Sequence, residues 1–125
     1  MIKGIGVDII EIARIRSTIE RTGARFLERV FTPSEIAYCS SKHNPSQHFA
    51  ARFAAKEAVS KALSTGWAGV FRWKDVEIVN APSGQPRVHL HGALHNELAA
   101  VTLHVSISHS DSHVVAMALI EGSAP

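Results

Sequence analysis

The alanine-rich segment "RFAAKEAVSKAL", residues 52–63, constrains the fold more than any other part of this sequence. On a helix with 3.6 residues per turn, its small apolar side chains fall on one side and its charged side chains on the other, where Phe53 interrupts them. Because alanine allows close approach, we predict a central helix whose apolar side lies directly on a sheet. That side comprises Ala51, Ala54, Ala55, Ala58, Val59 and Ala62.

The N-terminal third of the sequence predicts one strand and two further helices. The run "IKGIGVDII" is short and rich in β-branched residues, which predicts a buried strand that ends near Asp8. Isoleucines at helical spacing follow, and Gly23 marks the end of that helix. Thr32, Pro33 and Glu35 have the spacing of a helix start with a capping box.

The remaining segments predict that antiparallel strands accompany the central helix. Asn44 and Pro45 are expected to cap this helix, which should run to about Gly66. The segment "DVEIVNAPSGQPRVHLHG" predicts two strands around a Pro/Gly turn, and "ALHNELAAV" predicts a short helix. A hairpin turning at residues 110–112 is expected from "LHVSISHSDSHVVAMALIE". This order indicates an α+β fold with one long helix packed on a largely antiparallel sheet.

Length and composition limit the class of protein. At 125 residues, 46% hydrophobic and 19% charged, the sequence is typical of one soluble globular domain over residues 1–125. The single cysteine, Cys39, excludes an internal disulfide and fits a reducing compartment. The sequence contains no signal-peptide pattern and no run of about 18 apolar residues, so we expect a cytoplasmic protein that does not cross a membrane.

Two carboxylates far apart in the sequence are candidates for a metal site. An acidic residue in an apolar strand, such as Asp8, should lie at the strand end, be paired, or bind a cation. Asp8 and Glu57 together with water and phosphate oxygens would suit Mg²⁺. Two simpler interpretations stay open at this point. Asp8 could cap the next helix, and Glu57 could form a surface ion pair with Lys61 worth about 0.3–0.5 kcal/mol.

Histidines and serines offer two rival kinds of site. His89 and His91 alternate along a strand, and His91 and His95 are four residues apart, which could suit zinc. No cysteine pair or HExxH motif accompanies them. The segment "SISHSDSH" contains serine, histidine and aspartate, but no GxSxG motif precedes it to indicate a hydrolase.

A polar row on the predicted hairpin could instead bind phosphate oxygens. His104, Ser106 and Ser108 alternate, so they share one face of a strand. The simpler interpretation is ordinary polarity near the end of a strand.

Three arginines near the N-terminus could form a protein-binding surface. Arg14, Arg21 and Arg25 are seven and four residues apart, so on one continuous helix they would form a stripe. Planar guanidinium groups suit the acidic face of a partner helix. Acidic neighbours also fit a simple solvated face. The net charge of +2 and the lack of an aromatic stacking pattern argue against a nucleic-acid partner.

Four motifs in this order closely resemble the holo-acyl carrier protein synthase family of 4′-phosphopantetheinyl transferases. They are "GIGVDIIEIARI", "RFAAKEAVSKAL", "SGQP" and "VSISHS", and they span nearly the whole chain, to about Ser110. The resemblance implies the fold of that family and a role in fatty acid biosynthesis. It also implies a reaction that moves the 4′-phosphopantetheine arm of coenzyme A (CoA) to a serine of apo-acyl carrier protein. Adenosine 3′,5′-bisphosphate would be the second product.

The resemblance also implies roles for particular residues. Asp8 and Glu57 would be the protein ligands of Mg²⁺, and Lys61 would contact phosphate or stabilise the leaving group. Either Glu57 or a metal-bound water could accept the proton of the serine. The residues expected to hold CoA are Arg52, Lys56, Lys61, Gly84, Pro86, His104, Ser106 and Ser108. Those expected to bind the acyl carrier protein are Arg14, Arg21 and Arg25.

The family forms trimers with active sites between subunits, so the resemblance implies a homotrimer. One departure is Gln85, which stands where a lysine is common and puts a side-chain phosphate contact in doubt. Two alternatives remain: a binding module without catalysis, and a zinc-dependent hydrolase.

Overall fold

One long helix lies across a three-stranded antiparallel sheet, and a two-stranded sheet and the other helices surround them. The computed structural model describes residues 1–64, 67 and 69–123. Its strands and helices are, in chain order, β1 (Ile2–Glu11), α1 (Ile12–Thr22), α2 (Ala24–Val30), α3 (Pro33–Ser40), α4 (Pro45–Leu63), β2 (Val76–Asn80), β3 (Pro86–Leu90), α5 (Gly92–Glu97), β4 (Thr102–His109) and β5 (His113–Glu121).

All strand pairs in the two sheets are antiparallel. The larger sheet has the order β1-β5-β4, and the smaller one consists of β2 and β3. The α+β prediction with one long helix on antiparallel strands is therefore confirmed, although the strands form two sheets. No helix among residues 1–64, 67 and 69–123 has both the length and the apolar composition that a membrane crossing requires.

The contact between α4 and β1 depends on small residues on both elements. A Cβ atom on Gly4 would lie 2.2 Å from the carbonyl oxygen of Ala62, and one on Gly6 would lie 2.0 Å from that of Ala58. Any side chain at these two positions would therefore push the helix away. Ala58 and Ala62 are buried on the side of α4 that faces the sheet, as the alanine pattern predicts.

The prediction for the first strand was partly wrong. The strand does not end near Asp8 but continues to Glu11, and only one of its faces is buried. Ile5, Val7 and Ile9 on the other face are 63%, 58% and 66% exposed. β-branched composition predicts a strand but does not say whether one face or both will be covered.

The helix ends agree with most of the sequence signals. The capping box of Thr32 and Glu35 is present at the start of α3, and Gly23, with φ of 60°, separates α1 from α2. Asn44 occupies the N-cap position of α4, but its side chain makes no capping hydrogen bond within the described part of the chain. It donates instead to Gln47 Oε1 at 3.4 Å. The predicted helix end, Gly66, lies outside the described residues.

Candidate active site

Asp8 and Glu57 line the same cleft, which has a volume of about 300 Å³. Asp8 lies on the inner face of β1, and Glu57 lies on α4 at the level where the glycines of β1 allow the helix to approach. Arg14 of α1 lines the cleft as well. The aromatic rings of Phe26 and Phe53 form part of its wall, with their centroids 6.0 Å apart.

Lys61 contacts Asp8 directly. Its Nζ donates to Asp8 Oδ1 at 3.1 Å and to the carbonyl oxygen of Val7 at 3.0 Å. The expected Glu57–Lys61 surface pair is therefore replaced by a pair between Lys61 and Asp8 in the described structure. Asp8 does not cap α1 either, because Glu11 occupies the N-cap position of that helix.

The two carboxylates influence each other electrostatically. Burial raises the pKa of Glu57, the negative charge of Asp8 raises it further, and Lys61 opposes both effects. Two carboxylates in one cleft form a hard oxygen donor set, which suits Mg²⁺ completed by water and phosphate oxygens. No group of three or more His, Cys, Asp or Glu that could hold a metal occurs among the residues described. Asp8 and Glu57 are the two acidic residues that line this cleft.

The prediction that Lys56 contacts CoA is wrong for this structure. Lys56 is fully buried, and its Nζ donates to Glu35 Oε1 at 2.8 Å and to the carbonyl oxygens of Trp73 and Val76 at 2.9 and 2.7 Å. An ammonium group has three donors, so all of them are used. Burial lowers the pKa of Lys56, whereas the charge of Glu35 raises it. Helical spacing placed Lys56 on the charged side of α4, but other elements cover that side.

Sequence reasoning missed the buried polar network around Lys56. Glu35 links three elements, because it also accepts hydrogen bonds from the backbone N–H groups of Thr32 and Ile78. Glu77 accepts from Thr32 Oγ1 and Ser34 Oγ, each at 2.5 Å, and His91 Nε2 lies 3.0 Å from its other oxygen. The available signal was Phe53, whose position among the charges indicated that this side of α4 is covered.

The pKa of Glu77 reflects this network. Burial raises it, but the hydrogen bonds from Ser34, Thr32 and His91 outweigh burial and lower it to about 2. The same contact places His91 Nε2 beside the carboxylate of Glu77. The zinc alternative therefore gains no support from the described residues.

Arg52 and Pro86, two of the residues predicted to hold CoA, line one recess of about 140 Å³. Arg52 is only 5% exposed, and its guanidinium carbon lies 4.2 Å from the centroid of the Tyr38 ring. Its Nη2 donates to Asn80 Oδ1 at 2.7 Å, and Asn80 Nδ2 donates to the carbonyl oxygen of Gly84 at 2.9 Å. Asn80 had not been identified from the sequence.

The polar row on β4 lies away from the carboxylates. His104, Ser106 and Ser108 are exposed on the face of the larger sheet opposite to α4, while Asp8 lies on the inner face. A single chain therefore does not bring this row together with Asp8. His104 and Pro86 do line a common groove of about 350 Å³ between β3 and β4.

The three arginines do not form one helical stripe. Arg14 and Arg21 belong to α1, whereas Arg25 belongs to α2, and Gly23 ends the first helix between them. A stripe at this spacing requires one continuous helix. All three side chains are exposed, and Arg14 lines the cleft.

Comparison with known proteins connects this geometry to one family. The model of the 4′-phosphopantetheinyl transferase superfamily matches residues 4–118. The chain is 45% identical over 124 residues to a holo-[acyl-carrier-protein] synthase of Koribacter versatilis, covering 97% of this chain and 99% of the relative. It is 51% identical over 115 residues to that of Chlamydia felis, covering 92% of this chain and 93% of the relative.

Solved structures show the same similarity. The holo-[acyl-carrier-protein] synthase of Neisseria meningitidis superposes with a TM-score of 0.86 at 32% identity, covering 97% of this chain and 99% of that one. The Helicobacter pylori synthase, solved in complex with coenzyme A, gives a TM-score of 0.82 at 36% identity, covering 94% and 99% of the two chains.

Proposed function

The chain belongs to the 4′-phosphopantetheinyl transferase superfamily, and on this basis we propose that it is a holo-[acyl-carrier-protein] synthase. It transfers the 4′-phosphopantetheine group of CoA to a serine of apo-acyl carrier protein and releases adenosine 3′,5′-bisphosphate. The observation that carries the proposal is the cleft that Asp8 and Glu57 both line, with Lys61 hydrogen-bonded to Asp8. The relative solved with coenzyme A supports CoA as the donor.

Asp8 and Glu57 are the residues that would hold Mg²⁺. Burial and the negative charge of Asp8 raise the pKa of Glu57, because both disfavour its charged form. A cation bound between the two carboxylates would offset this unfavourable effect. When bound, the metal ion neutralises charge on the transferring and leaving phosphates. The protein contributes mainly by positioning the reacting groups.

Lys61 supplies positive charge beside the phosphates. Its ammonium group lies at Asp8 and is half exposed, so it can turn towards a phosphate oxygen. For the proton of the carrier serine, Glu57 is the acceptor that the chain itself offers.

Arg14, Arg21 and Arg25 would bind the carrier protein. Arg14 lines the cleft, and Arg21 and Arg25 are exposed on α1 and α2. An acidic partner helix would pair with these guanidinium groups and bring its serine to the carboxylates.

A homotrimer would complete the site. Three apolar pairs, exposed except for the half-buried Leu119, lie across β1 and β5 beside the polar row of β4, and an apolar patch of this kind marks an interaction surface. A second copy on this face would bring the polar row to a neighbouring cleft. The apolar pairs are Ile5–Leu119, Val7–Met117 and Ile9–Val115.

We place the enzyme in the cytoplasm and in fatty acid biosynthesis.

The test is a transfer assay with purified chain, CoA, apo-acyl carrier protein and Mg²⁺, followed by the intact mass of the carrier. We expect a gain of the phosphopantetheine mass that EDTA and Glu57→Ala abolish. Glu97→Ala, an exposed position on α5, is the matched control and should leave transfer unchanged. Binding of CoA without any mass change, using several carrier proteins, would instead indicate a binding module and overturn the proposal.

A further inference from the structure

Asn80, the last residue of β2, uses both ends of its side-chain amide. Its Oδ1 accepts a hydrogen bond from Arg52 Nη2 at 2.7 Å, and its Nδ2 donates to the carbonyl oxygen of Gly84 at 2.9 Å. The first bond joins the smaller sheet to α4, and the second joins it to the turn between β2 and β3. Asn80 therefore connects the central helix to the tip of this hairpin.

The helix end of this connection is firmly held. Arg52 is 5% exposed and lies over the ring of Tyr38. α4 itself packs against β1 without room for a single added Cβ atom at Gly4 or Gly6. The oxygen of Asn80 is therefore bound to a group that cannot easily move.

The other end of this connection, at Gly84 in the turn, needs such a restraint. Gly84 has a φ of 89°, a conformation that favours glycine, and glycine leaves the backbone more freedom than other residues do. Two backbone hydrogen bonds close the turn: Gly84 N–H to Ala81 O at 2.7 Å and Ala81 N–H to Gln85 O at 2.8 Å. Both lie within the hairpin, so they shape the turn but do not fix its position relative to α4.

We propose that Asn80 is a positioning residue for CoA. It holds the Gly84–Pro86 turn at a fixed distance from Arg52, so that the nucleotide meets a preformed recess whose walls include Arg52, Asn80 and Pro86. Preformed geometry improves binding because less ordering is required when the ligand arrives. The inference rests on the proposed function, because it assigns the recess to the nucleotide part of CoA.

A purely structural role for Asn80 predicts something different, and Asn80→Asp separates the two. Aspartate has the same shape, and its carboxylate can accept from Arg52 at least as well as the amide does. It cannot donate to the carbonyl oxygen of Gly84. This variant therefore keeps the link to α4 and releases the turn, whereas Asn80→Ala loses both bonds.

The experiment measures binding of adenosine 3′,5′-bisphosphate and of CoA to the full chain by calorimetry, with KM, kcat and Tm for each variant. For Asn80→Asp we expect binding weaker by about tenfold, as loss of a hydrogen bond implies, a similar rise in KM for CoA, and near wild-type kcat and Tm. Asn80→Ala should weaken binding as much and also lower Tm. Asn96→Asp on α5 is the matched control and should change none of these.

The outcomes separate this inference from the proposed function. If the wild-type chain binds and transfers, and both Asn80 variants bind as it does, the inference is overturned while the function stands. If only Asn80→Asp bound more weakly, and high salt restored its binding, charge repulsion would be the cause. That result would also overturn the inference. A wild-type chain that neither binds nor transfers would refute the proposed function and this inference with it.

Discussion

Glu57 is the single residue whose charge has the greatest consequence for the proposed chemistry. Glu57→Gln keeps the shape of the side chain but would remove the proposed metal ligand and proton acceptor, so we expect transfer to slow by about 100-fold or more. Stability should hold or rise, because the repulsion from Asp8 disappears. Initial rates from carrier mass, together with Tm, test this, with Glu97→Gln as control. A rate within about twofold of wild type would contradict the assignment.

Glu77 gives a prediction about pH and stability. Its pKa is lowered from 4.5 to about 2 in the folded chain. The charged Glu77 therefore stabilises the folded chain fully at pH values above about 4.5, the pKa of this group in the unfolded chain. This stabilisation, up to about 3 kcal/mol, is lost as the pH falls from about 4.5 towards 2. We expect Glu77→Gln to be less stable than wild type at pH 7 and to lose less stability between pH 7 and 3. Urea unfolding at both pH values measures this, and equal losses in the two proteins would show that Glu77 is not responsible.

At the scale of elements, the close contact of α4 with β1 sets the distance between the two carboxylates. Gly6→Ala would place a Cβ atom 2.0 Å from the carbonyl oxygen of Ala58, so the helix must shift. We expect a loss of about 1–3 kcal/mol of stability and a larger loss of transfer, because Glu57 moves away from Asp8. Urea unfolding and initial rates measure the two effects.

Gly122→Ala is the matched control for this substitution. The added methyl group there would meet side-chain atoms of Lys3 and Val101 at 3.2 Å, so neighbours need to shift by only a few tenths of an ångström. If Gly6→Ala retained full transfer activity, the contact between α4 and β1 would not control the site.

The elements also show what the sequence could and could not predict. Alanine spacing predicted the buried side of α4 correctly because that side depends only on helical geometry. The same spacing misassigned Lys56, because whether a charged side is covered depends on α3 and β2, which are distant in sequence. Asp8 and Glu57 could be proposed from residue type, but Asn80 could not, because its role exists only once Arg52 and Gly84 lie on either side of it.

At the scale of the whole molecule, the larger sheet separates the proposed site into two halves. Asp8 and Glu57 lie in the cleft on the α4 side, and His104 with its neighbouring serines lies on the outer face. If each active site combines the cleft of one copy with the outer face of another, chains defective in different halves should compensate for each other. A site contained within one chain could not do so.

The prediction is that mixing and reassembling Asp8→Ala with His104→Ala chains restores transfer, although each alone is impaired. In a randomly mixed cyclic trimer, about a quarter of the sites receive both intact halves, so activity should approach that fraction of wild type. Mixing Asp8→Ala with Glu57→Ala is the control, because both substitutions fall in the same half and no site becomes intact. Restoration only in the first mixture would mean that the outer face completes a neighbour's cleft. No restoration in mixtures that mass spectrometry shows to be mixed trimers would mean that each chain carries its own complete site.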